Sequence, residues 1–433
     1  GGLPFPYRLT GGPELKVRIK VEQERFLART FNVVATLKGA VWPDEMMVIG
    51  CHHDAWGYGA SDPAAGTIVL LEAARVMSDA ARNGKPPARS VLFAAWGAEE
   101  FGIIGSTEWV EANRNRLVKN GVGYINLDMA SMGNDFGSAA TPTMQQVIAD
   151  VTRSVPQPGG KPGEMVFDNW LARSKDPLDP TRPRFGDLGG GSDHAPFVCH
   201  VVMPAASISS GGSQGTSYHS TYDTLAWYRQ VVGEDYQPAL MNTRITVLAA
   251  SRLADAPVLP LAFANFGKEI QRHLRELVKV AMELEIRILM AVGGGPKDEN
   301  DSPAERELAE LWTKLDARGA LFEFVAIDSQ RQMIRELNES PGPSPQRLEA
   351  MNRGIIDMDR AWLSPKGMPD RPWFRNMFVA NDQDSGYASW MLPGLRHAVE
   401  TKDREALAAR TKEYIGVFDR LVELLEGLRA IPR

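Results

Sequence analysis

The adjacent carboxylates Glu99 and Glu100 are the first residues from which a chemistry can be read. They follow an apolar run, Ser90-Val-Leu-Phe-Ala-Ala95, that reads as a buried strand. Two carboxylates side by side at such a strand end repel one another, so positive charge is expected beside them. Our reading is that Glu100 binds a metal ion and Glu99 stays unligated as a base acting on water. Other polar clusters are placed in the same way. His52-His53-Asp54 follows the run 46–50, and Asp62-Pro63 lies in the glycine-rich loop beyond it. Asp128 ends the run 122–127, and Tyr218-His219-Ser220 follows 201–209 across a Gly/Ser loop. Ligands of open α/β sheets bind outside the carboxyl ends of the strands, so these clusters point to one site. Imidazole and carboxylate donors suit zinc. Two histidines and three carboxylates can hold two ions, one histidine each and one carboxylate bridging. Such a pair activates water and stabilises a tetrahedral intermediate. A free carboxylate beside it then moves the proton from water to a leaving amine.

The elements that position these residues alternate. Residues 31–38 and 46–50 read as strands separated by a turn at Pro43-Asp44, followed by a helix over 67–77. Strands over 90–95, 122–127 and 201–209 alternate with helices over 105–117 and 231–253. This pattern predicts an α/β fold with a mixed, mostly parallel sheet flanked by helices. Residues 130–145 and 156–192 are rich in Gly, Pro, Ser and Asp and read as long loops lining the site. From about residue 256 no strand is expected. Ile270, Leu274, Leu277, Ala281, Leu284 and Ile288 mark an amphipathic helix that Gly293-Gly-Gly-Pro296 stops. Ser302-Pro303 starts another, and Leu407, Tyr414, Phe418, Leu421 and Leu425 mark a last one. We divide the chain into 1–22, an edge strand or the exit from a preceding domain; 23–255, the catalytic domain; and 256–433, an all-α domain.

Length and composition narrow the class. The 433 residues suffice for two or three domains. A net charge of −6 favours neither a nucleic-acid surface nor a basic membrane patch. Cys51 and Cys199 are the only cysteines, so disulfide stapling is not the stabilising strategy. No run approaches the roughly 20 apolar residues of a transmembrane helix. The start, Gly-Gly-Leu-Pro-Phe-Pro, has neither a signal-type apolar region nor a methionine, and upstream processing or truncation is expected.

Six motifs carry a resemblance. Gly50-Cys-His-His-Asp-Ala-Trp56, Ser61-Asp-Pro63, Trp96-Gly-Ala-Glu-Glu-Phe-Gly102, Gly105-Ser-Thr-Glu-Trp109, Tyr124-Ile-Asn-Leu-Asp128 and Tyr218-His-Ser-Thr-Tyr222 resemble the glutamate carboxypeptidase II and transferrin-receptor branch of the zinc exopeptidases. Gly367-Met-Pro-Asp-Arg-Pro-Trp-Phe-Arg375 resembles that branch's C-terminal helical dimerisation domain. The resemblance implies that His52, Asp62 and Asp128 bind one zinc, and that Asp62, Glu100 and His219 bind the other. It makes Glu99 the general base, Tyr218 the oxyanion donor, and Asp54 the residue that orients His52. It implies a cis peptide at Asp62-Pro63, and it aligns Glu108 and Glu111 with a structural calcium site; a plain helix surface is the other reading of that pair. It also implies a peptide substrate, a homodimer through the helical domain, and a secreted or periplasmic location. Residues 1–22 would then be the tail of a protease-associated apical domain otherwise absent from this chain.

The departures bear on specificity. Members that take acidic peptides carry arginines where this chain has Ser207-Ile-Ser-Ser-Gly-Gly212, and a lysine in place of Gly386, just before Tyr387. A pocket for an acidic C-terminus is therefore not expected, since arginine's fork is what such a pocket needs. Ser207, Ser209, Tyr387 and Asp193 are the candidate pocket residues, with Asp193 read either as a substrate contact or as a turn former. His53, His194 and His200 are read as structural, and Cys51 as a small buried residue. Two functions follow: a dinuclear zinc exopeptidase, acting at either chain end, or a non-catalytic receptor on the same scaffold.

Overall fold

The computed structural model describes residues 11–283 and 302–431. Six strands form the main sheet: β1 (Val33–Leu37), β2 (Trp42–His52), β3 (Arg89–Trp96), β4 (Gly121–Asn126), β5 (Asp135–Ala140) and β6 (Ala205–Gly211). Their order is β1-β3-β2-β4-β6-β5. β2 runs parallel to β3 and β4, with Ile49 opposite both Phe93 and Ile125, and β4 runs parallel to β6. β1 and β5 close the two edges in antiparallel pairing. The central strands are continuous apolar runs because both faces are covered.

The helices Ala64–Arg82 and Gln237–Asp255 pack together and cover one face. Cys51 is buried toward it, with its Sγ 3.6 Å from Thr67 Oγ1. The other face carries an aromatic cluster in which Tyr124 stacks on Phe197 at 4.0 Å and Trp96 Nε1 donates to the Tyr124 hydroxyl at 3.1 Å. Gly50 makes room for those rings. A Cβ there would lie 2.4 Å from both Trp96 Nε1 and the Tyr124 oxygen.

Several expected elements differ. Pro43-Asp44 lies inside β2, at a register shift between Trp42 and Met46 that accommodates the missing proline donor. The helix expected over 105–117 breaks into Ile104–Ala112 and Arg114–Asn120, and Asn113 Nδ2 donates to Trp109 O at 2.9 Å between them. The expected loop 130–145 holds the edge strand β5, and 156–192 holds the helix Val166–Arg173 and the ribbon Lys175–Asp176 with Asp179–Pro183. Val201 follows a wide helical turn, Pro196–His200, so the strand begins only at Ala205. The helix expected over 231–253 splits into Leu225–Val232 and Gln237–Asp255, with Gly233 at φ +111° between them. Leu15, Val17, Ile19 and Val21 are exposed and form no strand, for want of a partner strand among the described residues.

Beyond Asp255 the chain is mainly helical: Asn265–Glu283, Pro303–Asn338, Pro345–Arg360, Pro393–Glu400 and Arg404–Ala430. Leu284, Ile288 and the Gly293–Pro296 stop lie outside the described residues. Ser302 caps the long helix, accepting from Glu305 N at 3.3 Å while Glu305 accepts from Ser302 N at 2.9 Å. The expectation of no strand here is corrected by a short ribbon, Val379–Asn381 with Ser389–Met391. Arg360 ties this region to the sheet. Its buried guanidinium donates to the carbonyls of Leu117, Val118, Gly121 and Val202, at the open end of the helix Arg114–Asn120. No described helix is long and apolar enough to cross a membrane.

Candidate active site and metal centre

Five site residues converge at the carboxyl edge of the parallel strands. His52 is the last residue of β2 and is buried. Its Nδ1 lies 3.0 Å from the backbone oxygen of Asp54, which can only accept, so Nδ1 carries a proton. Its Nε2 faces Asp62 Oδ1 at 3.1 Å and Asp128 Oδ1 at 3.2 Å. Burial opposes a charge on His52, yet the contacts with Asp128, Asp54 and Asp62 outweigh it and raise its pKa far above the usual imidazole range. Nε2 thus sits where two carboxylates demand a cation.

His219 builds the opposite side from a loop, at φ +55°. Its Nε2 lies 3.1 Å from Asp62 Oδ2 and 3.1 Å from Glu100 Oε2. Asp62 therefore turns one carboxylate oxygen to each histidine. The Asp62-Pro63 peptide is cis. Tyr218 stacks on the His219 ring at 3.7 Å, and its hydroxyl lies 3.3 Å from that of Tyr387. Burial, together with Tyr387, raises the Tyr218 phenol, which therefore stays protonated.

Asp54 holds the glutamate pair. Its Oδ1 accepts from Glu99 N at 3.0 Å and its Oδ2 from Glu100 N at 3.2 Å. Its contact with His52 runs through the backbone oxygen, with the carboxylate 3.7 Å away. Burial opposes ionisation of Asp54, but His52 and the two amides hold its pKa below the ordinary value. Burial and the charge of Asp193 push Glu99 up to about 9, and burial with the charge of Asp62 raises Glu100. The donor atoms of His52, Asp62 and Glu100 lie within 4.8 Å of one another, and the buried Glu100 Oε1 has no hydrogen-bond partner among the described residues. Hard oxygen and imidazole donors so gathered, with an orphaned carboxylate oxygen, fit a divalent metal.

Asp223 is a site residue that the sequence reading missed. Buried, it accepts from Ser61 N, Ser61 Oγ and Asp62 N at 2.9, 2.7 and 3.1 Å, and from Ser217 Oγ at 3.1 Å. It joins the Asp62 loop to the His219 loop. The signal was its position directly after Tyr218-His-Ser-Thr-Tyr222. Thr67, also missed, fixes the end of β2 by donating to His52 O at 2.9 Å.

Other expectations meet different surroundings. A cavity of about 700 Å³ opens over the glutamates, and Tyr387 lines it with Trp56 and Asn381. Ser207 and Ser209 are held in β6 and are not among its walls. Asp193 is fully buried and is not among the cavity walls. It accepts from Ser106 Oγ at 2.6 Å, and burial pushes it up to about 7. Glu108 is exposed, Glu111 is raised by burial and by Glu108, and no third acid joins them among the described residues. His53 stacks on Phe31, while burial pushes His194 and His200 down to about 4, keeping them neutral in structural positions.

Residues 32–230 match the model of peptidase family M28, and residues 316–426 match the transferrin receptor-like dimerisation domain. The catalytic region thus matches peptidase family M28 and the helical region the dimerisation domain, the combination that supports this branch. The chain is 30% identical over 379 residues to a protein of Arabidopsis thaliana named probable glutamate carboxypeptidase, covering 87% of this chain and 50% of that one. It is 29% identical over 417 residues to the aminopeptidase NAALADL1 of Rattus norvegicus, covering 92% and 52%. The chain thus spans about half the length of the curated relatives it matches. Among solved structures it is similar to an aminopeptidase from Aneurinibacillus sp. strain AM-1, with 26% identity and a TM-score of 0.37 over 52% of this chain and 47% of that one.

Proposed function

We propose that this chain carries the active site of a dinuclear zinc exopeptidase, with residues 23–255 as its catalytic domain. The observation that carries the reading is the shared Asp62, whose two carboxylate oxygens face His52 and His219 separately. His52, Asp62 and Asp128 would hold one zinc ion, and Asp62, Glu100 and His219 the other. When bound, zinc there polarises the scissile carbonyl and acidifies water.

The protein's own groups do the rest. Asp54, through its two amide contacts, fixes the backbone of Glu99 so that this carboxylate faces the cavity. Burial and Asp193 raise Glu99 in the metal-free protein, and cation charge held beside it would lower it again, so that ionised Glu99 takes a proton from the attacking water and gives it to the departing amine nitrogen. Tyr218, kept protonated, donates to the oxyanion as it develops. The dimerisation-type helical domain supports a homodimer and supplies Tyr387 and Asn381 to the cavity wall. A receptor-type reading loses support because every expected donor is present and converged. The test is zinc-dependent release of single residues from peptides. Glu99→Gln should abolish release while retaining zinc, and wild-type rates in that variant would refute the mechanism.

A further inference from the structure

A second cavity, of about 270 Å³, shares no lining residue with the one over the glutamates. One wall is the helix Asn265–Glu283, whose Glu269, Arg272, Arg275 and Lys279 recur every three or four residues and so share a face. The other wall comes from the catalytic region. It is made by Asp176, Pro177 and Leu178 at the tip of the ribbon, and by Arg184 and the buried Phe185 beyond it.

The acids of this cavity already have partners. Glu269 accepts from Gln145 Nε2 at 3.2 Å and from Arg272 Nε at 2.7 Å, and Arg272 also donates to Asp187 at 2.7 Å. Glu276 accepts from His273 Nδ1 at 3.0 Å, and Asp176 from Leu178 N at 2.8 Å. Burial opposes a charge on His273, but Asp187 and Glu276 raise its pKa and favour the imidazolium. Arg184, Arg275 and Lys279 are left over, with no side-chain hydrogen bond or ion pair among the described residues. Arg275 and Lys279 stand four apart on the helix, where like charges repel, and Arg184 stands on the opposite wall. Unpaired cations gathered on one concave surface concentrate anions there. A carboxylate has two oxygens and would leave one of the three unmatched. A phosphate group carries about two negative charges and three strong acceptor oxygens, one for each cation. Arginine forks and a lysine point charge both suit it. Leu178 and Phe185 add an apolar side that the rest of a ligand can cover.

We infer that this cavity binds a small phosphomonoester, its phosphate held by Arg184, Arg275 and Lys279 and its apolar body laid against Leu178 and Phe185, so that the ligand clamps the ribbon to the helix. The probes are inorganic phosphate and phenyl phosphate, given to the zinc-loaded full chain, with acetate at matched ionic strength as the control. Calorimetry should detect binding of both phosphates and none of acetate at this cavity. Phenyl phosphate should bind about tenfold more tightly than inorganic phosphate, a gain that Leu178→Ser removes. Arg275→Gln and Lys279→Gln should each weaken both phosphates about tenfold. Phosphate taken up at the metal centre would be untouched by these two substitutions. All three cations are exposed, so the same variants should keep the wild-type unfolding midpoint in chloride. Only the rise in midpoint that phosphate gives the wild type should shrink. Wild-type phosphate affinity in both Arg275→Gln and Lys279→Gln would overturn the inference, as would acetate binding that those variants weaken equally. Equal affinity for the two phosphates would overturn the apolar half of the site.

Discussion

The two histidines of the site are held in opposite ways. His52 ends a central strand, its side chain 1% exposed, with Asp54, Asp62 and Asp128 around the ring and Thr67 on its carbonyl. His219 sits in a loop at φ +55°, its side chain 29% exposed, with Tyr218 stacked on it. One side of the centre is thus part of the folded core, and the other is a loop fastened to it through Asp223. The difference separates two jobs that a single count of ligands would merge. The strand side should set whether the site exists, and the loop side how it is tuned toward the cavity.

The largest effect should fall between the two sides. Glu99 belongs to neither histidine, so Glu99→Gln should lower kcat about 10³-fold while leaving zinc content and unfolding midpoint close to wild type. Loss of zinc in that variant would mean that Glu99 is itself a ligand. The direct comparison is His52→Ala against His219→Ala in metal-free protein. Removing His52 leaves Asp62 and Asp128 facing one another with no cation in a buried place, at a cost of about 3 kcal/mol in urea unfolding. Removing the partly exposed His219 should cost about 1 kcal/mol or less. Equal losses would erase the distinction.

That distinction was only half legible beforehand. His52, Glu100 and Asp128 follow apolar runs within a few residues, so the strand pattern alone placed them at one edge. His219 lies eight residues beyond the end of β6, where periodicity says nothing, and only its motif marked it. The edge strand β5, Asp-Phe-Gly-Ser-Ala-Ala, was hidden by small residues without β-branching. Val201 and Val202 looked like a strand and belong to the turn before it. Asp193 sits in a glycine run that reads as a turn or a substrate contact, yet it is fully buried against Ser106. Asn381 and Tyr387 arrive from far along the chain, a contact that no local pattern encodes.

The tie between the two sides can be weakened alone. Asp223→Asn keeps the shape but replaces one acceptor oxygen by a donor, among four contacts that all donate to it. It should lower stability by about 2 kcal/mol and zinc affinity about 10- to 100-fold. On the present geometry, a double variant with His219→Ala should show sub-additive loss of zinc affinity, because the loop that Asp223 fastens no longer carries a ligand. Additive losses would mean that Asp223 acts on the strand side alone.

The smallest effect is a proton count. In metal-free protein the raised pKa of His52 keeps Nε2 protonated at neutral pH. A raised pKa means that this contribution to stability is fully present below the unfolded value of about 6.5 and is lost as pH rises through the higher folded value. Zinc requires the neutral ring, so loading must expel that proton, and zinc affinity should rise with pH across the neutral range. Calorimetry at pH 7 in buffers of different ionisation enthalpy should show about one proton released from His52, which His52→Ala removes. If His52→Ala releases as many protons as wild type, the strand side does not hold the cation that its two carboxylates demand.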